Sequence, residues 1–215
     1  MRMPILAAAA LALGLALLPA PDLAAKPPEP APLNDRDRAD LSRIEGYLNG
    51  VRTMVSPFMQ TASDGSVASG TLFLQRPGKL RIEYDPPTPV LIVSASGQLV
   101  YYDKTLQQVT YVPTSSTPAG VLVQEPVQLS GEVTVTRLQH GPGVIRVTLA
   151  RTAEPEAGRV TLIFSDQPLQ LKQWTVVDGQ GIETQVALLD PVLGGPIDPK
   201  RFEFTDPRTR SSGAR

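Results

Sequence analysis

The chain of 215 residues has no cysteine, one histidine, one tryptophan and an almost balanced charge, and each scarcity excludes something. Without cysteine there is no disulfide, no thiolate metal site and no thioether-linked lipid anchor. The lone His140 stands in Gln-His-Gly-Pro-Gly, read as an exposed turn and a poor place to hold an imidazole in catalytic register. No Gly-x-Ser-x-Gly elbow, phosphate loop or zinc spacing occurs. Glu83 and Asp85, two apart on a strand, read as solvated charges on an outer face rather than an acid–base pair. The residues therefore point away from an enzyme, with no metal and no cofactor expected. The 20 basic and 21 acidic residues are interspersed, so no stripe suggests nucleic acid and no polybasic cluster suggests an anionic membrane.

Long apolar runs are also lacking, with one exception at the start. Met1-Arg2 is followed by an apolar stretch from Ile5 to Leu18, then by Pro19, Pro21 and the small pair Ala24-Ala25. This is the order of a secretory signal peptide spanning residues 1–25, cleaved near Ala25. The run is shorter than the roughly 20 residues that span a bilayer, so removal is favoured over anchoring. Residues 26–34, with KPPEPAP, read as an extended Pro-rich linker. A single domain over 35–207 follows, long enough to bury a core of its own, and 208–215 read as a disordered tail.

Within the domain the hydrophobic period changes once. Asn34 or Asp35 caps a helix whose Leu41, Ile44, Leu48 and Val51 share a face, and Gly50 stops it. Beyond it the period is two. Strands are expected at 69–75, 80–85, 90–94, 99–103, 107–112, 132–139, 144–151, 159–164, 169–177 and 182–189, with a short last one at 202–204. Pro118 interrupts the series, and the small apolar segment 119–129 could hold a short helix. About ten antiparallel strands make a sheet too wide to stay flat, so a barrel or half-barrel is expected. Composition does not choose between a filled interior and one that is covered by helices and hollow.

Parity singles out one residue. If Leu72 and Leu74 point inward, so does Arg76, at the end of an apolar face. Such an arginine must be solvated or partnered. Two readings stand: a rim residue snorkelling into water beside Pro77, or a latch whose donors hold a carbonyl of the helical cover.

Residues 75–112, QRPGKLRIEYDPPTPVLIVSASGQLVYYDKTLQQVTYV, resemble the centre of the periplasmic outer-membrane lipoprotein carriers, the LolA family. The shared order is Arg-Pro, a basic-aromatic strand, a Pro-containing turn, an apolar strand, a Gly turn, a Tyr-Asp strand and Leu-Gln-Gln-Val. Similar too are an upstream helix ending in Phe58-Met59-Gln60, then Leu171-Lys172-Gln173-Trp174, Asp178-Gly179, Thr184, Ile197-Asp198-Pro199 and Phe202-Glu203-Phe204. The chain departs from the pattern at Ile82, where an aromatic is usual, and at Ser94-Ala95-Ser96-Gly97, where Asp-Gly is usual. The resemblance implies a mainly β fold with helices: an incomplete, strongly curved antiparallel barrel of about ten or eleven strands under an α-helical lid. It implies that Arg76 tethers the lid. It also implies a periplasmic monomer that takes acylated lipoproteins from an inner-membrane ATP-driven transporter to an outer-membrane acceptor.

The residues expected to line the lipid cavity are Leu72, Leu74, Leu80, Ile82, Tyr84, Leu91 and Val93, with Val121, Leu122 and Val123 from the lid. Trp174 is a further candidate if a bulge offsets the parity it shares with Gln170 and Lys172. Two other functions stand as alternatives: a lipoprotein- or glycolipid-binding envelope sensor on the same scaffold, and an envelope hydrolase depending on His140.

Overall fold

The computed structural model describes residues 27–117 and 120–208. The expected signal peptide and nearly all of the tail lie outside them. Helix α1 (Asp35–Gly50) is capped by Asn34, whose side chain accepts from Asp37 N while the Asp37 carboxylate accepts from Asn34 N. This reciprocal box satisfies two of the first-turn donors. Ile44 and Leu48 are buried on its inner face, as the spacing requires.

Among the described residues twelve strands form one antiparallel sheet. They are β1 (Thr53–Ala62), β2 (Val67–Gln75), β3 (Lys79–Tyr84), β4 (Val90–Ala95), β5 (Gln98–Asp103), β6 (Gln108–Pro113), β7 (Val133–Gly141), β8 (Val144–Arg151), β9 (Gly158–Ser165), β10 (Gln170–Asp178), β11 (Glu183–Leu188) and β12 (Val192–Leu193). The strand order is β6-β5-β4-β3-β2-β1-β11-β10-β9-β8-β7, with β12 beside β11 on β1, so β6 and β7 are edges and the barrel is not closed. A 3₁₀ turn (Thr114–Ser116) and helix α2 (Gly120–Val123) connect the two edges.

Three local expectations need correction. Phe58, Met59 and Gln60 do not end a helix: they lie in β1, where Met54, Ser56 and Phe58 alternate inward. Pro57 is tolerated there because Phe58–Ala62 pair with β11 and Met54–Val55 with β12, leaving the proline between them. The expected strand at 202–204 does not form: Phe202 ends a 3₁₀ helix (Pro199–Phe202) opened by Pro199 and capped by Asp198, and Glu203 and Phe204 follow it outside any strand. His140 is not in a free turn but in β7, hydrogen-bonded to α1.

The concave face packs against α1 and α2. Cross-strand pairs Ile145–Phe164, Val147–Leu162 and Leu149–Val160 carry it on one side, and Leu72–Ile82 and Leu74–Leu80 on the other. Gly70 admits the Phe58 ring to this face: a Cβ there would lie 2.0 Å from the Glu83 carbonyl oxygen and 2.8 Å from that ring. Both sheet edges are partly covered. Ala31, from the Pro-rich segment, donates to Val135 O of β7 at 2.8 Å and packs on the core with Leu33. Arg208 donates to Val109 O of β6 at 3.4 Å. Covering an edge removes a template for unwanted strand pairing.

Candidate functional site

Arg76 follows β2 and continues its inward parity into the seam between α1, α2 and the sheet. It is 7 % exposed. Its Nε donates to Leu122 O of α2 at 2.8 Å, and Nη1 donates to Leu48 O in the last turn of α1. The second acceptor is a last-turn carbonyl that otherwise receives the long cap bond from Val51 N at 3.3 Å, and a cation there also meets the negative end of the helix dipole. Among the described residues no carboxylate pairs with it. Burial pushes its pKa down to about 10, so it stays charged at neutral pH. One guanidinium thus spans the two helices of the cover.

Other bonds hold the cover beside it. Gly78 N donates to Val123 O at 2.8 Å, and an ion pair joins Arg52 to Glu125. Asn49 donates to Val127 O at 3.0 Å and accepts from Val127 N at 2.8 Å, while Glu45 accepts from Leu129 N at 2.8 Å.

Two spaces adjoin this seam. A hollow of about 20 Å³ lies beneath Arg76, lined by Leu72, Leu74, Leu80, Leu122 and Trp174, with Tyr47, Leu48, Val51, Met54 and Leu171. That is room for about one water molecule. A cleft of about 680 Å³ opens beside it, between α2 with the β2–β3 and β4–β5 turns and the β7–β9 side of the sheet. Its apolar lining includes Val121, Val123, Val133, Leu149 and Val160, and its rim carries Thr114, Thr117, Gln124 and Arg151. Its size lies within the range of about 300–1,000 Å³ usual for ligand sites.

The family model for the outer membrane lipoprotein carrier protein LolA matches residues 49–205. The chain belongs to the LolA family. It is 31 % identical over 175 residues to an outer-membrane lipoprotein carrier protein of Methylococcus capsulatus, covering 77 % of this chain and 83 % of that one. It is 29 % identical over 180 residues to the protein of the same name from Pseudomonas paraeruginosa, covering 80 % and 86 %. A solved LolA superfamily protein from Nitrosomonas europaea is a looser likeness: 9 % identity, 76 % of this chain, 97 % of that one, TM-score 0.42.

In this LolA-family chain the expected lining residues part into four groups. Leu72, Leu74, Leu80, Leu122 and Trp174 surround the hollow with Arg76. Val121 and Val123 line the cleft. Ile82 and Tyr84 lie on the concave face but line neither space. Tyr84 instead packs edge-on against Phe58 at 5.2 Å and donates to Gln60 Oε1 at 2.6 Å; burial pushes its pKa up to about 12.

Leu91 and Val93 are the correction. In the β3–β4 register Ile82 pairs with Ile92 and Leu80 with Ser94, so the even positions of β4 face inward. Leu91 and Val93 pair with Glu83 and Arg81 on the convex face. A covering segment buries them there. Phe202 is 3 % exposed, Phe204 meets Tyr102 at 5.6 Å, Arg201 stacks on Phe73 at 4.4 Å, and Tyr111 donates to Asp206 at 2.9 Å. The Val-Leu-Ile-Val run of β4 was the available signal, since a strand apolar at every position is buried on both faces.

Trp174 reaches the concave side because β10 shifts register between Leu171 and Gln173. The extra residue turns both Leu171 and Trp174 inward. Met54, which lines the hollow, escaped the sequence reading because β1 was not recognised as a strand; Val51, read on the apolar face of the helix, lines the hollow as its C-cap.

Proposed function

We propose that this chain is a periplasmic carrier that shields the acyl chains of lipoproteins and takes them from the inner to the outer membrane. On this reading residues 1–25 are its export signal, an ATP-driven inner-membrane transporter loads it and an outer-membrane acceptor unloads it. The observation that carries the proposal is the placement of Arg76: a buried guanidinium between the two cover helices, bonded among the described residues to one carbonyl of each. The carrier names of its relatives support the cargo.

Each acyl methylene transferred from water gains about 0.8 kcal/mol. A site that kept all of that gain would not release its cargo. Here the space under the latch is too small for a chain, and loading must separate Arg76 from at least one carbonyl. Hydrogen bonds to a charged group contribute about 1.5–3 kcal/mol each. Breaking them offsets part of the transfer energy and keeps the net affinity moderate. Returning the guanidinium to water works the other way, because a buried charge costs several kcal/mol. The latch is therefore strong enough to close the empty cover and weak enough to yield.

Arg76→Leu is expected to accept lipoprotein but pass it to an acceptor about tenfold more slowly or worse, the effect of about 1.4 kcal/mol. A purified carrier-to-acceptor assay measures this, and wild-type transfer by the variant overturns the latch. Native mass spectrometry of protein taken from its own periplasm tests the cargo. Acylated polypeptide is expected to accompany it; free lipid or a regulatory protein in its place would favour a sensor on the same scaffold.

A further inference from the structure

Charge is shared out unevenly over the convex face. Over β2–β6 arginines stand beside acids: Arg81 holds Glu83 at 2.6 Å, Arg201 reaches the same carboxylate at 3.6 Å, and Arg208 holds Asp206 at 2.6 Å. Strands β7, β8 and β9 contain no acidic residue, and neither does the turn that joins the first two. Three arginines lie on them, spread over residues 137–159, so the sequence shows no basic run.

The sheet brings them together. Ile145, Val147 and Leu149 of β8 point into the core with their partners on β9, so the positions between them face outward. Arg146 and Thr148 are outward on β8, and Arg159 and Thr161 on β9. Arg137 of β7 pairs with Thr148 and shares that side. All three arginines are exposed. Arg146 pairs with Gln139, which makes it the diagonal neighbour of Arg137, at a separation of about 7–8 Å. Arg159 is two strand spacings across the sheet from Arg137, about 10 Å, and borders the open cleft. The Thr148 and Thr161 hydroxyls, 3.0 Å apart, form a polar floor between them.

Among the described residues none of the three makes an ion pair or a side-chain hydrogen bond. Of the acids in the β8–β9 turn, Glu154 is taken by Arg151, and Glu156 is not paired with Arg159. Like charges this close disfavour the fold, and no contact within the described chain offsets them.

We infer that the outer face of β7–β9 is a docking surface for an acidic segment of a protein partner, with Arg137, Arg146 and Arg159 receiving its carboxylates. The guanidinium fork matches a carboxylate with two parallel hydrogen bonds, and arginine is enriched where proteins meet. A bilayer fits less well. Among the described residues no large apolar side chain of β7, β8 or β9 is exposed to sink into it, and a convex face meets a plane over little area. Arg159 sets the partner beside the mouth of the cleft. Docking of this kind is independent of what fills the cleft, and so goes beyond the carrier reading.

Octaglutamate serves as the acidic probe and phosphatidylglycerol vesicles as the alternative, both with the full mature chain at about 0.01 M ionic strength, where charges act over about 30 Å. Octaglutamate is expected to shift amide resonances of β7–β9 above all others. Changing the three residues together, Arg137→Gln, Arg146→Gln and Arg159→Gln, is expected to weaken its affinity about tenfold or more. The urea midpoint of that variant should stay level or rise, since it loses repulsion and no partner; a clear fall would mark a structural role and count against docking. Arg137→Gln alone should act in the same direction on both readouts. Octaglutamate should also slow lipoprotein handover by the wild type and leave handover by the triple variant unchanged.

Equal affinity in the variant, or shifts spread evenly around Arg36, Arg52 and Lys104, overturns the docking face. Vesicle binding that the variant loses, with no octaglutamate binding by the wild type, replaces the protein partner with a bilayer. Absence of any handover counts against the carrier reading instead, and the resonance map still decides the docking face.

Discussion

The sheet between β2 and β5 buries apolar residues on both faces, and a separate segment covers each. On the concave side α1 and α2 bury Leu72, Leu74 and Leu80, are fixed by Arg76 through backbone carbonyls, and leave open space beside them. On the convex side residues 199–208 bury Leu91, Val93 and Val100 with Phe202. They are fixed by rings and ion pairs, as in Arg201 on Phe73 and against Glu83 at 3.6 Å. Both covers exclude water from the same strands. They differ in where polar bonds are placed. Bonds clustered at the facing helix ends around one arginine can be released together; contacts spread along a terminal segment yield piecemeal. The concave cover thus has the character of a door and the convex one of a seal.

The largest expected effect tests how deeply each side is woven into the fold. Phe164 is fully buried on the concave face, edge-on to Tyr47 at 6.1 Å. Phe164→Ala should cost about 3–5 kcal/mol in urea unfolding. Phe202→Ala, almost as buried, should cost only about 1–2 kcal/mol, because its segment can peel while the sheet persists. Faster amide exchange confined to 199–208 would accompany it, and equal costs for the two changes would erase the distinction.

Acid should act on the concave side first. For Asp40 burial pushes the pKa up, but the hydrogen bonds with His140 and Arg43 outweigh it and hold the carboxyl below its ordinary value of 3.8. A lowered carboxylate value means stability that is complete above that ordinary value and lost as pH falls below it. Asp40→Asn should therefore flatten the decline of the urea midpoint between pH 4 and pH 2.5. An unaltered decline would show that this carboxylate does not sense acid.

The smallest effect concerns the exposed accessory of the door. Arg52 and Glu125 have side chains 63 % and 31 % exposed, and Glu125→Gln should lower stability by at most about 1 kcal/mol. Added salt should remove most of that difference. A larger, salt-insensitive loss would make this pair a second latch.

How much of this could be read beforehand differs from residue to residue. Leu72 and Leu74 set the parity of β2, and Arg76 follows from it one residue past the end of the strand. Once a turn intervenes, parity starts afresh, because a slip of one residue exchanges the faces. Leu91 and Val93 were misplaced for that reason: β4 is apolar throughout residues 90–93, so alternation there could not show which of its faces was concave. Pro57 hid β1, since a proline argues against a strand unless the neighbouring strand breaks beside it. His140 seemed free because its partner Asp40 is 100 residues away in the chain.

By itself the sequence determined what depends on near neighbours: the capped helix, the alternation within each strand, the turns between them and an arginine aimed along an apolar face. The tertiary structure alone decided what Arg76 holds, which side of β4 is the interior and where α1 is clamped. Those outcomes depend on register and on contacts between residues far apart in the chain. Neither is encoded in the period of any single segment; both are fixed only when the strands choose their partners and the covers close over them.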